Sequence, residues 1–324
     1  MSKKLYIECN TGISGDMIVA SLLDLGADRE KLEAVLSSLK SKVGGFETKI
    51  SPVVKAGIVA CDFDVILEQD NHDHDMNYLY GHDSPSTGYH DHEHHHGHHE
   101  HHHDHHRGHE HDHHHDHQGF EYDHYHDHEH HHDHHDHDHE HESGHHHPHV
   151  HRSLSDVVSI IDCADMTESA RALARKVFTV VAEAEAAVHG RSIEEVHFHE
   201  VGAIDSIVDI ISAAVCFDDI IKKYAVSDTV ITKLVDGTGT VRCQHGILSV
   251  PVPAVLKIAE QHGVPVSITN RRGEFVTPTG AAFAAAVMTS DALPERFRIV
   301  ASGIGAGKRE YEIPGMVRSM IIES

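Results

Sequence analysis

The sequence predicts an α+β fold, a mixed sheet with packed helices, interrupted by a long disordered insert rich in His, Asp and Glu. Helical and strand-like patterns are mixed without the regular β-α-β rhythm of a parallel sheet. No apolar run reaches the ~20 residues that a membrane span needs. Between His72 and His151 the chain becomes almost pure imidazole and carboxylate, with 37 of the 42 His, 19 of the 52 Asp+Glu and one basic residue, Arg107. Such a segment cannot bury a core, and its few apolar residues (Tyr78, Leu79, Tyr80, Tyr89, Phe120, Tyr122, Tyr125) are scattered among charges. Three parts result: an N-terminal β-α-α-β-β unit over 1–71, the insert over 72–151 and a main α+β domain over 152–324.

Residues 4–9 (KLYIEC) form a short strand. The turn N-T-G-I-S-G-D leads into MIVASLLDLGA, apolar at helical spacing and stopped at Gly26. A second helix runs from Asp28 to about Leu39, and 46–67 gives two strands around Gly57. After the insert, Ser153 or Ser155 caps a short helix over 156–161. Thr167 opens a longer helix that ends at Gly190. A helix follows from about Asp205 to Ile221, then strands at 229–235 and 246–250 flanking D-G-T-G-T-V-R-C-Q-H-G. Helices at 253–262 and 279–288 enclose a strand at 265–269. Strands at 297–302 and 316–322 close the chain around G-I-G-A-G-K-R, taken as a loop.

The formal net charge is −26, and the insert supplies −18 of it. This acidity excludes a nucleic-acid partner, which would demand basic patches. The N-terminus lacks a signal-peptide core, and no membrane association is expected. The five Cys are widely spaced with no CxxC, which speaks against a thiolate zinc site or a disulfide framework and fits a reducing cytoplasm. Neutral imidazole suits Ni, Zn, Cu and Fe, so the insert gathers a first-row metal, with His94, His95, His96, His101, His102 and His103 among its candidate ligands.

Five segments carry candidate chemistry. At Gly12-Ile13-Ser14-Gly15-Asp16 a strand, a Gly turn and a helix start leave backbone N–H groups to meet a phosphate or carboxylate. The alternative is a plain turn in which Asp16 stabilises the helix N-terminus. Around His197-Phe198-His199-Glu200, an extended chain would put both imidazoles on one face, a start for a Ni or Zn shell. Asp205 and Asp209 share a helix face and could add a ligand or orient a His. Surface polarity before a helix explains the same residues. Arg242 in D-G-T-G-T-V-R could pair with a phosphate, and His245 could be a base or ligand; a hairpin with a Gly turn is the plainer account. Thr277-Pro278-Thr279-Gly280 is an N-cap arrangement, which could also face an anion. Gly303–Arg309 is not a Walker A, because Ser302 and Arg309 stand where Gly and Ser/Thr are required; Lys308 and Arg309 could still hold an anion.

Five ordered motifs together resemble one family: Y-I-E-C-N-T-G-I-S-G-D-M at 6–17, H-F-H-E-V-G-A-I-D-S-I-V-D at 197–209, D-G-T-G-T-V at 236–241, H-G-I-L-S-V-P-V-P-A at 245–254 and G-E-F-V-T-P-T-G-A-A at 273–282. They are similar to the LarC-type nickel-pincer cofactor biosynthesis proteins, as is the position of the His-rich insert. One small departure is Glu8, where many relatives carry Asp. The resemblance implies a nickel chelatase of the lyase class. Its members insert Ni2+ into pyridinium-3,5-bisthiocarboxylic acid mononucleotide to form the pincer cofactor of lactate racemase and related enzymes. It implies use of CTP, through a cytidylyl group, with Mg2+ or Mn2+ assisting. Full-length members continue into a C-terminal domain associated with CTP binding, so this chain corresponds to the nickel-handling portion and would act with a C-terminal partner polypeptide. The resulting expectation gives Asp16, His197 and His199 the chemistry and His197, His199, Glu200 and Asp205 the structured metal site. Gly12, Ser14, Gly15, Arg242, Lys308 and Arg309 would bind the mononucleotide. The partners would be the thiolated substrate and an apo nickel-pincer enzyme, with the chain a homo-oligomer. The competing reading is a non-enzymatic nickel reservoir or metallochaperone, which leaves the Gly-rich segments without a role.

Overall fold

The computed structural model describes residues 2–68, 152–196, 198, 202–243 and 245–324. The insert lies outside them, as do His197, His199 and Glu200. The fold is mixed α+β, with seven α-helices and a mixed six-stranded sheet among the described residues.

The sheet order is β2 (Phe46–Lys55), β3 (Ile58–Leu67), β9 (Arg298–Glu310), β10 (Pro314–Glu323), β1 (Lys3–Glu8), β4 (Val226–Val230). β3–β9 and β1–β4 are parallel, and the other neighbours are antiparallel. The first and last stretches of the chain thus share one sheet. Two small ladders stand apart: β5 (Leu234–Thr238) parallel to β8 (Val266–Arg272), and the hairpin β6 (Thr240–Cys243)–β7 (Gly246–Ser249).

Helix α1 (Gly15–Asp24) packs on β9, β3 and β10 and against α5 (Ile204–Tyr224). Next to α5 lies α4 (Glu168–His189), which in turn carries α6 (Pro253–His262) and α7 (Pro278–Val287). α2 (Arg29–Val43) and α3 (Leu154–Cys163) complete this helical side. The main core fills the space between, with Ile18, Leu22, Phe63, Phe178, Ile211 and Phe283 fully buried. A smaller cluster groups Tyr6, Val230, Met320 and Ile322.

Caps set the helix bounds. Asp28 accepts from the amides of Glu30 and Lys31 at the start of α2, Ser153 forms a capping box with Asp156, and Thr167 accepts from Ala170 N. Thr277 accepts from Gly280 N, with Pro278 as first helical residue of α7.

Two expectations are corrected. The segment 229–235 is two strands in different sheets, β4 and β5, not one. G-I-G-A-G-K-R is not a loop: Gly303–Arg309 lies within β9. The reason is packing. A Cβ on Gly303 would sit 2.2 Å from Leu25 N, one on Gly305 2.1 Å from Met17 O, and one on Gly307 2.8 Å from Met17 Sδ. The missing side chains let the backbone of α1 lie directly on the strand. Asp24 Oδ2 accepts from Ile304 N at 2.8 Å, and Ser21 Oγ meets Ser319 Oγ at 2.8 Å beneath the helix.

Gly305→Ala should therefore cost about 1–3 kcal/mol, because a backbone-to-backbone contact cannot yield as a side chain can. The exposed Ser302→Ala on the same strand should stay within about 0.5 kcal/mol. Urea titration of both variants measures the difference; equal midpoints would remove the packing argument.

Candidate functional site

The Gly stripe fixes the depth at which α1 lies, and its N-terminus opens into a cleft of about 310 Å³. Thr11, Ser14, Gly15, Asp16 and Met17 form one wall. Asp205, Ser206 and Asp209 come from the first turns of α5, Glu274 to Thr279 from the entry to α7, and Gly307 to Arg309 from β9. Segments distant in sequence thus meet, and the first turns of three helices face the same space. First-turn amides lack intrahelical acceptors and carry partial positive charge.

Asp16 anchors the α1 side. Its carboxylate takes Met17 N at 2.8 Å and a short hydrogen bond from Ser14 Oγ. The anion cradle is narrower than the sequence suggests, because Gly12 N donates to Cys9 O at 3.3 Å and Ile13 N to Phe275 O at 2.8 Å. Gly12 itself does not line the cleft; with φ +98°, it backs onto Phe275, whose carbonyl oxygen a Cβ would meet at 2.1 Å. Thr11 Oγ1 ties the loop to β10, donating to Met316 O at 2.8 Å and accepting from Met316 N at 3.0 Å.

Asp209 is a carboxyl held in a buried, acidic setting. Gly15 makes room for it: a Cβ there would lie 2.6 Å from Asp209 Oδ2. Its Oδ1 is buried without a hydrogen-bond partner among the described residues. Burial, then the charges of Asp16 and Asp205, push its pKa well above the ordinary carboxylate range, while Lys308 pulls the other way. Burial similarly raises Asp62 on β3.

The basic groups are already engaged. Lys308 pairs with Asp64, and Arg309 Nη1 reaches Glu274 Oε2 at 2.6 Å. Burial works against the charge of Lys308, but the Asp64 hydrogen bond and the carboxylates of Asp16, Asp64 and Asp209 outweigh it, raising its pKa. Tyr311 Oη donates to Glu274 O at 2.8 Å, fixing that pair. The cleft is therefore acidic in its side chains and cationic in its helix ends, an arrangement for a cation held beside an anion.

Asp236, at the start of D-G-T-G-T, is fully buried and supports this wall. Its Oδ1 accepts from Gly237 N and Phe275 N at 2.8 Å and from Val276 N at 3.2 Å. Burial raises its pKa and the three amides oppose the shift. This clamp was not foreseen.

Among the expected site residues, Asp16, Ser14, Gly15, Asp205, Lys308 and Arg309 meet in the cleft, and Arg242, exposed on β6, does not reach it. His197, His199, Glu200 and the insert histidines lie outside the described residues. Phe198 is buried against Phe178 with ring centroids 5.1 Å apart, and its amide donates to Arg152 O at 3.0 Å. Among the described residues no three His, Cys, Asp or Glu already surround one point for a metal ion, and no helix is long and apolar enough to cross a membrane.

The sequence matches, over residues 5–324, the family described as nickel insertion protein. The chain belongs to this family. It is 42% identical over 324 residues to a pyridinium-3,5-bisthiocarboxylic acid mononucleotide nickel insertion protein of Alkaliphilus metalliredigens, covering 100% of this chain and 61% of that one. Proteins of the same name from Clostridium acetobutylicum (38%, covering 97% of this chain and 62% of that one) and Akkermansia muciniphila (33%, 99% and 61%) are also similar. The chain thus spans about three-fifths of the length of these nickel insertion proteins. No solved structure matches.

Asp209 holds its proton more tightly folded than unfolded, so its ionisation weakens the fold as pH rises above the ordinary carboxylate range. Asp209→Asn removes that penalty. Urea titrations should show the variant gaining on the wild type with rising pH, by about 1–3 kcal/mol at pH 8. A pH-independent difference would mean that the carboxyl does not carry the proton.

Proposed function

We propose that this chain is the nickel-handling part of a metallochelatase that inserts Ni2+ into pyridinium-3,5-bisthiocarboxylic acid mononucleotide. The observation that carries this reading is the cleft, which gathers Ser14–Asp16, Asp205 and Asp209, Thr277–Thr279 and Lys308–Arg309. Its volume, about 310 Å³, is at the lower end of small-ligand sites.

Such a substrate carries a cationic ring, soft sulfurs and a phosphate. Lys308 and the first-turn amides of α1 and α7 suit the phosphate, and the carboxylates suit the pyridinium and an incoming cation. Arg309, held by Glu274, would contribute by exchanging partners. Arg242 does not line the cleft and is given no part in holding the phosphate there.

Two metal roles separate by donor chemistry. Asp16, Asp205 and Asp209 offer oxygen alone, which fits Mg2+ or Mn2+ accompanying CTP. His197 and His199, with Glu200, offer the imidazoles that Ni2+ prefers. The insert, residues 72–151, would raise the local nickel concentration on a tether, and holding ion and substrate together removes the entropic cost of their encounter. CTP use would require a C-terminal partner polypeptide, and the product would pass to an apo enzyme such as lactate racemase. A cytoplasmic homo-oligomer is the state in which we expect this chemistry.

Reconstitution tests this reading. The chain is mixed with Ni2+, CTP, Mg2+ and the thiolated mononucleotide, with and without the C-terminal partner, and apo lactate racemase reports the product. Deleting 72–151 should lower the nickel bound per chain yet spare insertion at saturating nickel. His197→Ala with His199→Ala should abolish it. Loss of insertion in the deletion at every nickel level would overturn this division of labour; metal binding lost entirely with the insert, together with no binding of the mononucleotide, would favour the reservoir.

A further inference from the structure

We propose that Cys243, His245 and His189 form a second metal site, outside the cleft, for a borderline-soft first-row divalent cation such as Ni2+ or Zn2+. None of the three lines the cleft. Cys243 ends β6, His245 follows in the turn to β7, and His189 closes α4. The hairpin brings Cys243 Sγ to 4.0 Å from His245 Nδ1. Two such atoms on one tetrahedral ion, with bonds of about 2.3 Å to sulfur and 2.0–2.1 Å to nitrogen, stand roughly 3.5 Å apart. An ion between them therefore needs only a small closure.

The imidazole of His189 lies beside that of His245, with ring centroids 4.9 Å apart and planes tilted by 34°. One turn back on α4, Glu185 Oε2 is 3.5 Å from His189 Nε2. A carboxylate on one ring nitrogen fixes the tautomer and turns the other nitrogen into the ligand, here Nδ1. Burial, then His245 and Arg191, lower the His189 pKa, favouring the neutral ring that binds metal.

The set is thus one thiolate and two imidazoles, with water completing the shell. A thiolate discriminates against Mg2+ and Ca2+ and in favour of later first-row ions. The described side chains do not yet enclose one point, so capture requires a rotation of His189 or His245. Both are exposed, and rotamer exchange of surface side chains is fast.

The insert contains no cysteine, so a thiolate signal separates this site from the tract's histidines. Full-length reduced protein is titrated with Co2+ to saturation, and the thiolate-to-cobalt charge-transfer absorption in the near ultraviolet is followed. One thiolate per chain should appear, Cys243→Ser should remove it, and Cys163→Ser should leave it unchanged. His189→Ala and His245→Ala should each raise the midpoint of the band about 10-fold or more. Ni2+ added to the cobalt form should displace the band. Circular dichroism checks that each variant folds, and the surface variant His189→Ala provides a reading should Cys243→Ser fail. A saturated protein without the band, a band that survives Cys243→Ser, or one indifferent to both His substitutions would overturn the site. The assay uses no substrate or partner, so it is independent of nickel insertion.

Discussion

The close seat of α1 on β9 is the constraint from which the site follows. Three glycines in alternate positions remove the strand's own side chains from the contact: Gly303 and Gly305 meet helix backbone, and Gly307 meets the side chain of Met17. Interiors packed this densely have no slack to absorb a shift. The N-terminus of α1 is thereby fixed in depth. On its other flank Gly15 admits the carboxyl of Asp209 from α5. Small residues on both sides thus decide where Asp16 points.

The charge arrangement has a cost that the fold meets elsewhere. Asp16, Asp205 and Asp209 stand close together, and Asp209 has a buried oxygen with no hydrogen-bond partner among the described residues. Isolated, such a group would weaken the protein. Lys308, pulled between Asp64 and the cleft acids, lessens the repulsion, and helix ends add positive potential. Asp236 is better supported: three amides converge on its Oδ1 and oppose the effect of burial, and in return it shapes the loop through Phe275 and Val276.

Much of this architecture was legible in the sequence because it rests on local rules. Thr167, Gly190 and Pro278 mark helix ends by capping chemistry, and the structure has those ends. What failed was tertiary. Gly303–Gly307 has the composition of a loop, and only contact with α1 explains why a strand needs it. The change of sheet between Val230 and Leu234 has no local signal. Asp16, Asp205 and Lys308 were chosen for their chemistry, but their meeting depends on the sheet order. Asp209 shares a face with Asp205 by spacing alone, but the room that Gly15 leaves for its carboxyl is a tertiary fit. The approach of His189 to His245 joins a helix end to a hairpin far along the chain, which no spacing rule detects.

The sheet order also bears on the order of assembly. β9 and β10 lie between β3 and β1, so strands made early flank strands made much later. A nascent chain emerging from the ribosome holds β1 and β3 apart by a gap two strands wide until residues 298–323 arrive. Pairing across such sequence distances is slow, since the loop entropy is lost before the contacts form. The basic residues of the cleft, Lys308 and Arg309, come with that segment, so its acidic half is synthesised well before its counter-charges.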